Sequence, residues 1–257
     1  ESADGGATWK GVDGAGNQLS LLGVEITADN RALAVGQTGM AMARDASGQW
    51  TKLETGSKER LFAVDGNLAG QIVIGGAFGT VLLSTDAGKT FTRLAIDWAA
   101  MGTDGAEPHM YAAHIDDQGL ITVAGEFGLI LRSADAGQTW RKLNQSDASI
   151  FALDINPQGQ ASYAAGQIGT LLRSDDGGET WVVQNSGSTA NLLAVESSGQ
   201  SVMVAGFRES VSSTDGGSSW KVLSSAPFGG VWYAGLAAAG DSVFAVGQSG
   251  TVVKLQQ

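Results

Sequence analysis

The chain contains no cysteine, only 3 prolines and 2 histidines, and no apolar run near the ~20 residues that span a bilayer. The first absence excludes disulfide frameworks, thiolate zinc sites and cysteine nucleophiles. Basic residues are scarce as well: 15 lysines and arginines face 26 aspartates and glutamates, for a formal net charge of -11. Such a balance repels phosphate backbones, and the few cations form no run, so neither nucleic acid nor direct membrane insertion is expected. What is present is a folding sequence, with 43% hydrophobic and 16% charged residues in 257, enough to bury roughly three quarters of the unfolded surface. The chain begins at Glu1 with neither an initiator methionine nor a signal-like segment, which points to a trimmed or processed soluble form.

The 38 glycines are not scattered. Octets at residues 2–9, 84–91, 133–140, 174–181 and 213–220 share the pattern S-x-D-x-G-x-(T/S)-(W/F), and a degenerate sixth at 43–50 keeps Asp45 and Trp50. The closing aromatics Trp9, Trp50, Phe91, Trp140, Trp181 and Trp220 are spaced by 41, 41, 49, 41 and 39 residues. One unit is therefore about 41 residues, and only one spacing carries an insertion. Between Trp50 and Phe91 the unit reads as four short strands, at 49–53, 60–64, 71–75 and 80–84, each bounded by glycine or polar turn residues. A second marker, close to A-x-G-x-x-G, makes a tight turn between the second and third strands at 36–39, 76–79, 125–128, 166–169 and 247–250.

A four-stranded sheet with two apolar faces cannot bury both alone, so successive units must stack around an axis. The predicted fold is one all-β domain over residues 1–257, a β-propeller of four-stranded antiparallel blades. Its ring has six blades, closed by pairing of residues 8–12 with the C-terminal strand; a seven-bladed parent is the alternative. In each octet the aspartate accepts hydrogen bonds from nearby N–H groups and the glycine supplies the positive φ that closes the turn. Asp4, Asp45, Asp86, Asp135, Asp176 and Asp215 are thereby read as scaffold, because one carboxylate per blade is dispersed around the ring and not gathered on a metal or substrate. No metal, cofactor or catalytic residue is assigned.

The octets resemble the Asp-box, or BNR repeat, of sialidases and several unrelated propellers. Together with turns such as Ala34-Val35-Gly36 and Ala245-Val246-Gly247, the whole chain is similar to the photosystem II assembly-factor-like branch of that class. That resemblance implies a non-enzymatic propeller that binds a protein partner and helps assemble or stabilise a membrane or cell-envelope complex, in the periplasm or another extracytoplasmic compartment. Members of the branch are usually seven-bladed, whereas six octets are found here. The alternative function is a carbohydrate-binding or sialidase-like glycoside hydrolase propeller, with Glu126, Arg208 and His109 as polar contacts. Against it, the chain has only Tyr111, Tyr163 and Tyr233 to offer as a nucleophile and lacks the R-I-P element of such enzymes.

The partner-binding face is read from the insertion, residues 97–110, since loops that outgrow their equivalents in a repeat array sit on the binding side. The insertion shares a face with the second-to-third strand turns, where Phe78, Phe127, Ile168 and Phe207 recur at a position that solvent exposure would normally make polar. With Trp98, Met101 and His109 they form an apolar patch rimmed by Glu126, Arg208 and Glu209, the composition of a protein-binding surface. The competing expectation is that these side chains fold inward and plug the channel. Arg132 and Arg173, each one residue before an octet, are candidates for a basic stripe or for ordinary solvated side chains.

Overall fold

A computed structural model describes residues 2–11, 19–27, 31–45, 47–156, 159–225, 227–240 and 242–256. Among them, 23 strands form six antiparallel sheets in chain order. The first holds β1 (Leu21–Ile26), β2 (Ala32–Gly36), β3 (Ala41–Arg44) and β4 (Trp50–Leu53); the second β5 (Leu61–Gly66), β6 (Ile72–Gly76), β7 (Val81–Ser84) and β8 (Thr92–Arg93). The third holds β9 (Met110–Ile115), β10 (Ile121–Gly125), β11 (Ile130–Ser133) and β12 (Arg141–Asn144); the fourth β13 (Ile150–Asp154), β14 (Ser162–Gly166), β15 (Leu171–Ser174) and β16 (Val182–Val183). The fifth holds β17 (Leu192–Ser198), β18 (Ser201–Gly206), β19 (Ser210–Ser213) and β20 (Lys221–Leu223), and the sixth β21 (Tyr233–Ala239), β22 (Ser242–Gly247) and β23 (Val252–Gln256). This is the six-bladed, all-β propeller that the repeats predict, with the octets between third and fourth strands.

The seams between sheets are the core. Second strands β2, β6, β10 and β14 are buried at all five positions, and β6, β10 and β14 lie between two neighbouring blades; hence their largely apolar sequence instead of alternation. Val73 and Val81 of the second sheet pack with Met110, Val123 and Leu131 of the third, and Leu33 and Val35 of the first pack with Leu61 and Ile74 of the second. Each such side chain contributes about 1.5–3 kcal/mol by leaving water.

The octet geometry is uniform. In the third sheet, Asp135 accepts from the Thr139 N–H at 2.9 Å and from its hydroxyl at 2.5 Å, while Ser133 donates to Asp135 and accepts from the Gly137 N–H, both at 2.8 Å. Asp4, Asp86, Asp176 and Asp215 repeat the arrangement, and Asp45 keeps a reduced version through Ser47 and Gln49. The hydroxyl and backbone donors hold Asp4, Asp86, Asp135 and Asp215 down to about 2 and Asp176 below the usual carboxylate range.

Octets also clasp the blade before them. Arg132 on β11 is buried and donates to Thr122 within its sheet, then across the seam to the Gly177 carbonyl and to Glu179 of the next octet at 2.9 Å each. Arg141 completes the pair on Glu179 at 2.7 Å. The two stripe candidates thus diverge: Arg132 is spent on a seam, and Arg173 pairs with Asp175 in its own sheet. The N-terminal octet lies against the sixth sheet, where Lys254 donates to the Gly5 carbonyl at 3.1 Å and the Trp9 and Phe244 rings meet edge to face. The described part of the expected closing strand, residues 8–11, makes no strand ladder, and Val12 lies outside the described residues.

Candidate functional site at the mouth of the channel

The second-to-third strand turns are short 3-10 segments at Gln37–Gly39, Glu126–Gly128, Gln167–Gly169 and Gln248–Gly250, with a like turn at 76–79. Their apex is held at positive φ: 55° at Thr38, 50° at Phe78, 57° at Phe127, 53° at Ile168 and 57° at Ser249. The repeat imposes that conformation even on the β-branched Thr38, and Ser249 bears it with a small side chain. Phe and the β-branched Ile are poorly suited to it, at about 1–2 kcal/mol each. Yet Phe78, Phe127 and Ile168 are also exposed, Ile168 at 72%. Three adjacent blades therefore carry large apolar groups where both backbone strain and solvent disfavour them.

All three side chains are open to solvent at the turns. Phe207 is exposed too but sits one residue out of register: in the fifth blade the positive-φ residue is Arg208, so Phe207 occupies the place of Ala77 and Glu126 and bridges to Trp232. The Arg208 guanidinium lies 5.2 Å from the Phe207 ring centre, and Glu209 accepts from the Ser188 hydroxyl at 2.6 Å.

Trp98 departs from its expected place. It is 8% exposed and belongs to the core between the second and third sheets, with Met101 packed beside it. A β-carbon added to Gly79 would lie 2.6 Å from the Trp98 indole nitrogen, so the glycine, at φ +62°, lets the insertion close over the turn. With the Gly79 N–H donating to the Pro108 carbonyl at 2.8 Å, the insertion does share the face of the turns, as expected. It works as a buttress for Phe78, not as an exposed anchor. Arg93 adds a bond from its guanidinium to the Phe78 carbonyl at 2.7 Å.

His109 and Glu126 are likewise built into the frame. Glu126 accepts from the His109 N–H at 2.8 Å, as Gln167 does from the equivalent Ser149 N–H at 2.9 Å in the next blade. His109 in turn accepts from the Phe78 N–H at its Nδ1.

Behind the rim lies an aromatic belt that sequence reasoning missed. Phe78 meets His109 at 5.0 Å between ring centres, His109 meets Phe62 at 5.9 Å, Phe62 meets Tyr111 at 5.3 Å and Tyr111 meets Phe151 at 5.3 Å. Phe62, Tyr111 and Phe151 are the bulged residues of successive inner strands β5, β9 and β13. The Tyr111 hydroxyl donates to Glu126 at 3.4 Å, and burial, aided by that carboxylate, pushes it up to about 12.

Deeper, one register position of the inner strands presents Glu25, Asp65, His114, Asp154 and Glu196 in five consecutive blades. Each is paired with the residue three before the glycine that ends its second strand, which is the signal that would have found the set. Asp65 reaches across its seam to His114 Nδ1 at 2.8 Å and to the Ile115 N–H at 2.9 Å, and Glu196 accepts from the Ala238 N–H of the next blade at 3.2 Å. Burial raises Glu25 and Glu196 to about 7, reinforced by the charge of Asp65 on the first and Asp154 on the second.

No protein-family model and no curated protein sequence matches the chain. Solved structures do. YCF48 from Cyanidioschyzon merolae is similar at a TM-score of 0.59 and 15% identity over 94% of this chain and 96% of its own. YCF48 bound to D1 peptide is similar at a TM-score of 0.52 and 17% identity over 93% and 92%. The chain shares the β-propeller fold of these YCF48 structures along nearly its whole length.

Proposed function

We propose that the protein is a non-enzymatic propeller scaffold that binds a protein partner on the turn-bearing face and assists the assembly or stability of a membrane or cell-envelope complex outside the cytoplasm. The observation that carries this reading is the exposure of Phe78, Phe127 and Ile168 at strained turn apices, with Phe207 beside them. Anchors of this kind, rimmed by charge, are what a partner chain desolvates. A structure of the same fold in the peptide-bound state, YCF48 with D1 peptide, supports a peptide segment as the thing bound. The test is a peptide array of envelope-protein sequences probed with the wild-type chain and with Phe78→Ser plus Phe127→Ser: peptides retained by the first and lost by the second support the reading, and equal retention contradicts it.

One observation favours glycoside hydrolysis instead, the Tyr111–Glu126 contact, since a Tyr-Glu pair is a sialidase-type nucleophile. The electrostatics oppose it. Tyr111 is made harder to ionise, and Glu126 already serves the His109 N–H. Robust turnover of a fluorogenic sialoside, abolished by Tyr111→Phe, would establish the hydrolase and displace the scaffold reading.

A further inference from the structure

Glu126 carries a charge that its place in the fold does not require. The first residue of the second-to-third strand turn clasps the start of its own blade's inner strand: Gln37 accepts from the Ser20 N–H at 3.3 Å, Gln167 from the Ser149 N–H at 2.9 Å and Glu126 from the His109 N–H at 2.8 Å. In return the three turn residues donate their own N–H groups to the carbonyls of Ser20, Ser149 and His109 at 3.1, 2.9 and 3.0 Å. A neutral amide thus serves this clasp twice, and Gln248 holds the same turn position in the sixth blade. Glutamate offers the frame the same oxygen and adds a negative charge. No lysine or arginine among the described residues pairs with it: Arg93 is on Glu107, Arg132 and Arg141 are on Glu179, and Arg173 is on Asp175. The clasp takes Glu126 Oε2, which leaves Oε1 with the Tyr111 hydroxyl at 3.4 Å.

The surroundings of that oxygen are aromatic. Phe62, His109 and Tyr111 form a closed triangle of rings: Phe62 lies 5.9 Å from His109 and 5.3 Å from Tyr111, and His109 lies 6.1 Å from Tyr111, with planes 54°, 52° and 77° apart. All three are half-buried, so part of each ring is open to solvent, and Phe78 and Phe151 extend the set on either side. About 10 Å further along the inner strands, three residues on from Phe62 and Phe151, stand Asp65 and Asp154. With a net charge of -11 on the whole chain, they add negative potential beneath the rings.

A carboxylate oxygen beside ring faces is complementary to an organic cation, which is attracted by the charge and by the ring quadrupoles together. A metal ion is poorly served, since ring faces supply no oxygen donors. We propose that Glu126 and the triangle of Phe62, His109 and Tyr111 form a subsite for one basic side chain of the partner, an arginine or lysine whose stem crosses the rings and whose head meets Glu126 Oε1. The inference rests on the reading of the turn-bearing face as the one that binds a partner segment, and it specifies that segment: a basic residue flanked by apolar ones, which lie on Phe78 and Phe127.

The test is an NMR titration of the full chain with acetyl-Leu-Arg-Leu-amide and with the same peptide carrying citrulline, the neutral isostere, in place of arginine. The arginine peptide should bind about fivefold more tightly and move the ring resonances of Phe62 and Tyr111. Glu126→Gln, which keeps the clasp as Gln167 does, should bring its affinity down to that of the citrulline peptide while the amide spectrum elsewhere stays unchanged. Equal affinities in the wild type, failure of the arginine peptide to bind, or an arginine preference that persists in Glu126→Gln would overturn the inference. The two readings fail separately. Peptides that bind equally and are both lost with Phe78→Ser plus Phe127→Ser would leave the contact face standing without the basic subsite, whereas an arginine preference that depends on Glu126 and binding untouched by those rim substitutions would uphold the subsite and contradict the rim.

Discussion

The Phe78 N–H donates to Nδ1 of His109 at 3.1 Å while the two rings meet edge to face, so one positive-φ apolar apex of the mouth is tied to the start of the third inner strand. Rim and channel are one aromatic structure there. A partner segment that covers Phe78 would continue onto Phe62 and Tyr111 without leaving an apolar surface.

That arrangement separates stability from binding. Ile168→Asn replaces a β-branched residue by one that tolerates positive φ, and little burial is lost from so exposed a side chain. The variant should be more stable by about 0.5–1 kcal/mol in urea unfolding and should bind the partner more weakly. A destabilised variant would mean that the apex is held by packing instead of selected for contact.

Trp98 should behave oppositely. Truncation to alanine opens a cavity between the second and third sheets and unpins the insertion, at a cost of about 3–5 kcal/mol. Gly79→Ala should mimic part of that loss, because its β-carbon collides with the indole. Calorimetry of both variants checks this; an unchanged Trp98→Ala melting temperature would restore Trp98 to the role of exposed anchor.

The octet carboxylates set the acid limit. Their folded pKa lies below the unfolded value, so the stability they add is complete above about pH 4 and is lost as pH falls through about 2. Asp135→Asn should therefore lower the melting temperature at pH 7, and the difference from wild type should vanish near pH 2. A difference that persists at pH 1.5 would assign the effect to altered hydrogen bonding alone.

Glu25 and Glu196 work in the other direction. With folded values raised to about 7, their contribution is full below about pH 4.5 and falls as pH rises through 7, by roughly 2 kcal/mol each. Unfolding free energies of Glu25→Gln plus Glu196→Gln should stay flat between pH 5 and 7.5 where the wild type declines. Parallel curves would show that the two carboxylates titrate normally.

Much of the fold was legible because the octets repeat a turn whose chemistry admits few substitutes: serine, aspartate and glycine at fixed offsets, then an aromatic for the seam. The site was less so. Phe207 reads as a counterpart of Phe78, but Arg208 takes the positive-φ position in its turn. Trp98 looks available in a long loop, and only the packing against Gly79 shows it to be buried. Phe62, Tyr111 and Phe151 escape a simple alternation count because a bulge at each shifts the register of the inner strand. The recurrence of Glu25, Asp65, His114, Asp154 and Glu196 emerges once strands are aligned on the closing glycines, which the octet spacing alone does not do.

The central claim is that partner contact is made by the turn-bearing face. Its most direct test places a photo-crosslinking residue at position 78 or 127, and at Lys89 or Gln138 in the octets on the opposite face, in cells that make the protein. The account predicts adducts with the same envelope-complex subunit from 78 and 127 and none from 89 and 138. Adducts formed from the octet positions, with 78 and 127 silent, would contradict it.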